Sequence, residues 1–357
     1  MRTDAGWFYW QEFGPAGAVF SEIPGETYAL DGPIYQTYQS LGSFRDALGR
    51  PTTDTVPVGD TRGRRSGFEH GEIYWTATTG AHALQGKIGQ HWIDLGGPAS
   101  YLGYPTSSRL EEPVDHGWAN TFEHGDIFHW GGSVIDVGGL TIRYRGLNCF
   151  GDTSESGADE PYPLLTVLHP AKRSDGSPNP ALSVTVIGPE ESAVGGGSYP
   201  RDVVLYRNVA SNLGGVNVSL MEHDEGDKNA YRAEIEGAVR ATIGVATAAL
   251  TVAVGVTGVG LAVSGLIAWA GQEGGTLLTS AINSAVGTDD DWIGDRTYTF
   301  GPKAMIELAA TAPLRERDIE FRFGHQGNPI SGDGGSYKAY FDVEVYRQRP
   351  GLDELVG

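Results

Sequence analysis

The chain has 357 residues, enough for two domains at about 150 residues each, and either half is long enough to bury a core. Its 45 Asp and Glu against 25 Lys and Arg give a net charge of −20. That leaves no basic face for a phosphate backbone and excludes nucleic acid as a partner. A hydrophobic share of 39% excludes wholesale disorder, and a single cysteine, Cys149, excludes an intrachain disulfide or a cysteine-based zinc site.

The N-terminal stretch MRTDAGWFYWQEFG shows no basic run leading into an apolar one, so no secretory signal is visible. From about residue 13 to 139 the chain repeats itself at an offset of 54. SGFEHGEIYW (66–75) recurs as NTFEHGDIFH (120–129), and LGRPT (48–52) recurs as LGYPT (102–106). Ile34, Tyr38, Leu41 and Gly42 recur as Ile88, Trp92, Leu95 and Gly96, and Gly17, Phe20 and Leu30 as Gly71, Tyr74 and Leu84. Two full units with partial ones at each end are predicted. Each has a short amphipathic helix (IGQHWIDLGG), a turn at LGYPT, and a hairpin whose strands come from FEHGDIF and GAHALQG.

These words in this order resemble the LGFP repeat of actinobacterial cell-envelope proteins. The resemblance implies attachment to the cell wall, with cell-wall glycan as the partner. Trp75, Trp92, Trp118 and Trp130 admit two readings, as sugar-stacking platforms or as core between repeats, and recurrence in a repeat favours core. The paired Glu69–His70 and Glu123–His124 read as a repeated structural hydrogen bond ahead of a metal site.

From residue 140 the pattern changes to strand-like runs between Gly, Pro and Asp-rich turns: 140–150, 162–170, 182–188, 202–209, 216–222, 296–301, 318–324 and 337–346. The fold class expected is mainly β: an N-terminal repeat module (1–139) and an eight-stranded antiparallel β-sandwich (140–347) carrying a helical insertion (227–287), with a tail at 348–357.

Carboxylates gather at three predicted turns, FGDTSESGADEPY, MEHDEGD and DDDWIGD. Clustered hard oxygens on turns suit Ca²⁺, and solvated turns without an ion are the alternative. The order of these groups resembles the C-two domain, the calcium-dependent phospholipid-binding sandwich. That resemblance implies Ca²⁺ ligands at Asp152, Asp159, Glu222, Asp224 and Asp291. This chain departs from the pattern where Glu160 splits the DPY, where Glu222 replaces an Asp, and where the long insertion enters the third loop.

The insertion holds an uncharged run between Arg240 and Glu273. It is long enough for a membrane span, yet Gly255, Gly258 and Gly260 divide it into a hairpin. Leu250, Val254, Gly258, Leu261, Leu266 and Trp269 mark its candidate membrane-active surface, and the alternative is a hairpin packed on protein.

No HExxH, GxSxG or GxxxxGK[ST] motif occurs. The preferred reading is a non-catalytic envelope protein, extracellular or cytoplasmic before release, that binds cell-wall glycan. A calcium-linked, toxin-like interaction of the hairpin with a lipid bilayer would accompany it. The alternatives are an adhesive homo-oligomer joined through the hairpin and a cell-wall glycan hydrolase.

Overall fold

The computed structural model describes residues 2–3, 6–23, 25–45, 47–112, 117–152, 159–172, 178–187, 190, 193–210, 215–223, 241, 290–298, 301–324, 327–332 and 334–347. The chain divides into two compact units, chiefly Met1–Glu112 with His116–Gly138, and Gly139–Tyr346. Both are mainly β.

The first unit is three four-stranded antiparallel sheets. Strands β1 (Arg2–Thr3), β2 (Gly6–Glu12), β3 (Gly17–Ile23) and β4 (Thr27–Asp31) form the first, followed by α1 (Gly32–Ser40). The second comprises β5 (Val56–Pro57), β6 (Gly63–Phe68), β7 (Gly71–Thr76) and β8 (Gly80–Gln85), followed by α2 (Gly86–Asp94). The third comprises β9 (Leu110–Glu112), β10 (Gly117–Phe122), β11 (Gly125–Trp130) and β12 (Ser133–Val137). The predicted two-strand unit is thus a four-strand meander. FEHGDIF is not one strand: β10 ends at Phe122, Glu123–His124 form the turn, and β11 begins at Gly125. A side chain at Gly125 would run into the Val137 carbonyl, which is why the turn closes on glycine.

One core holds Phe8, Phe20, Ile34, Tyr38, Leu48, Phe68 and Ile73, and a second holds Tyr74, Ile88, Trp92, Leu102, Phe122 and Ile127. Each core therefore draws on two successive sheets and the helix between them. No repeat closes its own core, the expected economy of a repeat array. Side chains also stitch neighbours at equivalent points: Asp54 accepts the Ala29 N–H at 2.7 Å, and Ser108 accepts the Ala83 N–H at 3.0 Å.

The second unit has two four-stranded antiparallel sheets. Its strands are β13 (Gly139–Gly151), β14 (Pro161–Lys172), β15 (Pro178–Val186), β16 (Ser198–Asn208), β17 (Gly215–His223) and β18 (Asp290–Tyr298), then β19 (Leu314–Glu316), β20 (Ile319–Phe321), β21 (Ile330–Gly332) and β22 (Gly335–Tyr346). The sheet orders are β16-β13-β22-β21 and β15-β14-β17-β18, with β19 and β20 as a separate ribbon. The run at 318–324, expected as a sandwich strand, supplies β20 of the ribbon and meets the sheet only through an antiparallel bridge from Phe323 to Phe341 of β22. Beside it on β22 lies β21, whose three residues are too short to read as a strand. Helix α3 (Pro302–Ala310) was not anticipated. It starts on Pro302 after an extended Gly301 and buries Met305.

The acidic group DDDWIGD is also corrected. From Asp290 onward it is strand, not turn: β18 pairs with β17 from His223↔Asp290 to Val216↔Tyr298, with Ile293 buried. The backbone of β17 needs a partner along its whole length, and carboxylates are no bar to providing one. Of the insertion 227–287 only Ala241 is described, so Leu250, Val254, Gly258, Leu261, Leu266 and Trp269 lie outside the described residues, as does Asp224. Among the described residues no helix is long and apolar enough to cross a membrane.

Candidate functional site

The turn at Leu48–Pro51 and its counterpart at Leu102–Pro105 are built alike. Leu48 and Leu102 anchor them in the two cores. Gly49 (φ +73°) and Gly103 (φ +70°) sit in the left-handed region, where a side chain would also press into the carboxylates of Glu69 and Glu123. The Gly49 carbonyl accepts the Tyr38 hydroxyl at 2.6 Å, and the Gly103 carbonyl accepts the Trp92 indole N–H at 3.0 Å. Glu69 accepts the Arg50 N–H at 2.8 Å and Glu123 accepts the Tyr104 N–H at 2.9 Å. His70 and His124 donate their backbone N–H groups to the Leu48 and Leu102 carbonyls at 3.0 and 3.1 Å, while both residues are exposed. The recurring hydrogen bonds of each Glu–His pair thus use carboxylates and backbone amides, not imidazoles.

Around this shared frame the two repeats differ in charge. In the first, the Arg50 guanidinium binds Glu69 at 2.6 Å and also pairs with Glu22. The hydrogen bond from Arg50 holds the Glu69 carboxyl below the usual carboxylate range. This ion-pair network borders a cleft of about 250 Å³ that Phe8, Phe20, Tyr28 and Glu26 also line. In the second, Arg62 pairs with Glu123 at 3.2 Å and lies 4.9 Å over the Tyr104 ring, whose hydroxyl donates to Asp60 at 2.6 Å. Nearby, Asp136 of β12 accepts the Tyr101 hydroxyl at 2.7 Å and bonds His91 of α2 at 2.8 Å. Burial alone would raise the Asp136 carboxyl, but these two partners hold it below its ordinary value.

The candidate tryptophans separate by exposure. Trp92 is fully buried, and Trp130 is 7% exposed and stacks on Phe128 at 4.8 Å. Both are core, so neither offers a ring face to a sugar. Trp75 and Trp118 are half-buried at the margins of the two cores, and Trp118 carries the Arg109 guanidinium 4.1 Å from its ring centroid.

A family model matches residues 48–100, and its description is the LGFP repeat. These residues are an LGFP repeat. The match opens on the Leu48–Gly49 turn, takes in β5 to β8 and α2, and stops just before the next turn at Leu102. LGFP identity therefore falls on one full repeat, and the same hydrogen-bond frame recurs immediately after it. The LGFP repeat suggests a cell-wall-associated binding role. No curated protein matches the chain.

The described candidate calcium ligands, Asp152, Asp159, Glu222 and Asp291, fall at one end of the second unit's β14–β17–β18 sheet and the neighbouring turns. Asp152 is exposed and accepts the Gly195 N–H at 3.2 Å. Asp159 is 1% exposed, bridges to Ala193 and accepts the Tyr337 hydroxyl. Burial, reinforced by this bond, pushes the Tyr337 phenol far above its ordinary value. Glu222 is buried on β17 opposite Pro161 and Asp291. Among the described residues no group of three or more His, Cys, Asp or Glu side chains is gathered to hold a metal. Asp152 and Asp159 each accept a hydrogen bond from a protein donor.

Sequence reasoning passed over Trp10, Phe44 and Arg45. A signal was present: where the second repeat has Gly97–Pro98–Ala99 after its helix, the first has Ser43–Phe44–Arg45. Three small or rigid residues are replaced there by a hydroxyl, an aromatic ring and a cation.

Proposed function

We propose that this is a non-catalytic, cell-envelope-associated protein whose repeat unit binds a glycan of the cell wall. The observation that carries this reading is the LGFP match to residues 48–100, on a frame that borders clefts with aromatic rings and carboxylates. Rings stack on the C–H faces of sugars, and carboxylates accept their hydroxyls. Full-length protein mixed with purified, protein-stripped actinobacterial cell walls is expected to sediment with them, and soluble glycan released from the same walls to compete it off. Recovery in the supernatant at every wall concentration would overturn the reading.

A finer part of the proposal concerns the uncharged run 241–272, which sequence alone motivates. It would meet a bilayer when the neighbouring acidic residues bind Ca²⁺. Flotation with vesicles of phosphatidylglycerol and phosphatidylethanolamine should then carry the chain upward in millimolar Ca²⁺ and not in EDTA. Equal behaviour in both removes calcium, and no flotation in either removes the membrane.

A further inference from the structure

The first repeat has a second cleft, on the side of the turn that follows α1. It is lined by Trp10, Glu12, Tyr35, Ser43, Phe44 and Arg45 and has a volume of about 200 Å³. Drug-sized ligands occupy roughly 300–1,000 Å³, so this hollow suits a single ring. Trp10 is 43% exposed, an unusual position for an indole on a sheet whose core lies next to it. The half-buried Phe44 ring meets it at 5.1 Å and 54°, so the two form an open corner rather than a closed stack. Gln39 reaches into the same corner, donating to the Tyr35 hydroxyl at 2.6 Å and to Glu12 at 3.4 Å.

Two features set the corner apart from ordinary surface. Arg45 rests over the Phe44 ring at 5.5 Å and has no carboxylate partner among the described residues, in a chain of net charge −20. Elsewhere in this unit Arg50, Arg62, Arg64 and Arg65 pair with carboxylates, while Arg109, like Arg45, rests on an aromatic ring. The second feature is Ser43, which takes φ 57°, the left-handed conformation that its counterpart Gly97 adopts at φ 59°. A serine there costs about 1–2 kcal/mol that glycine would not, and its side chain lines the cleft. Strain of this kind persists where the surroundings hold it and is a pointer to a working site.

Strand register shows that the side chains lining this cleft are not repeated in the other two sheets. Trp10 stands opposite Phe20, where Arg65 stands opposite Tyr74 and Ala119 opposite Phe128. Glu12 likewise takes the place of Gly67 and Thr121. Arg65 is committed to Glu72 and Thr121 bonds Thr106, while Gly67 and Ala119 supply no polar side chain.

We infer that this cleft binds a carboxylate-bearing sugar residue of a glycan. The sugar ring stacks in the Trp10–Phe44 corner, its carboxylate pairs with the Arg45 guanidinium, and its hydroxyls meet Glu12 and Ser43. The inference rests on the glycan-binding reading and adds the class of sugar and the residues that select it. A guanidinium with no carboxylate partner among the described residues favours an acidic sugar over a neutral one, since a charge-assisted pair is about twice as strong as a neutral hydrogen bond.

The test is ligand-observed NMR on the full chain with glucuronate and with glucose, for the native protein, Arg45→Gln and Trp10→Ala, with thermal melts of all three. Glucuronate is expected to bind roughly tenfold more tightly than glucose, the equivalent of one charge-assisted contact. Arg45→Gln should abolish that preference while keeping the glucose affinity and the melting temperature, and Trp10→Ala should weaken both sugars together. An unchanged preference in Arg45→Gln overturns the inference. So does an absence of glucuronate binding by a native protein that still sediments with cell walls, an outcome that leaves the glycan-binding reading standing. Arg45-dependent glucuronate binding by a protein that ignores cell walls would support the cleft and remove the wall.

Discussion

Replacing Gly103 by alanine is expected to destabilise the repeat unit by roughly 3 kcal/mol. Two costs add. At φ +70° an L side chain is strained by about 1–2 kcal/mol. The new methyl also displaces Glu123, which accepts the Tyr104 N–H at 2.9 Å and pairs with Arg62. Loss of a hydrogen bond to a charged group costs about 1.5–3 kcal/mol. Urea unfolding followed by tryptophan fluorescence checks this, because Trp92 donates to the Gly103 carbonyl and reports on the same turn. Gly132→Ala is the control. Nothing stands within 4 Å of its added methyl, and it should shift stability by no more than about 0.5 kcal/mol. Equal midpoints for the two variants would contradict this account of the Leu102–Pro105 turn. The pH dependence has a definite sign as well. Glu69 and Asp136 are held below their ordinary values, so their contributions are complete at neutral pH and are lost as the pH falls through the lowered pKa values.

In the second unit the largest expected effect belongs to Tyr337→Phe, at about 2 kcal/mol. The change removes a hydroxyl donor from Asp159, a carboxylate 1% exposed, and a buried charge that loses a donor pays its desolvation in full. Hydrogen exchange should show the loss as faster opening of β13 and β22, which pair along most of their length. Adding Asp159→Asn should recover part of it, because the charge that needed the donor is gone. If Tyr337→Phe leaves exchange in β13 and β22 unaltered, the buried pair does not support this unit.

Much of the fold was legible where one residue type did one job. The offset of 54 located the turns because Leu48, Gly49 and Pro51 are each required by burial, backbone angle or register, and none can drift without loss. The long strands β13, β14, β16, β17 and β22 announced themselves by alternation and β-branched content. What stayed hidden was decided by pairing rather than by local pattern. Asp290–Asp295 read as a turn because of its charge, and became strand because β17 offers it a register. The three residues of β21 carry too little pattern to be seen without β22 beside them. Trp92 and Trp118 look alike in sequence, and only packing places one inside and the other at the margin. The Trp10 cleft was missed for a similar reason. Its residues come from β2, α1 and the turn after α1, and the extra residue in FGPAG against FEHG shifts the pairing of β2 with β3, so a fixed offset does not align them.

The central claim, glycan binding by the LGFP repeat unit, is tested most directly by sedimentation with purified cell walls, comparing the native chain, Gly103→Ala and Gly132→Ala. The account predicts that walls retain the native chain and the Gly132 variant, that Gly103→Ala loses retention at a lower urea concentration than the native chain as its repeat unfolds, and that soluble wall glycan releases the bound protein. Retention of Gly103→Ala equal to the native chain, with its repeat shown to be unfolded, would contradict it.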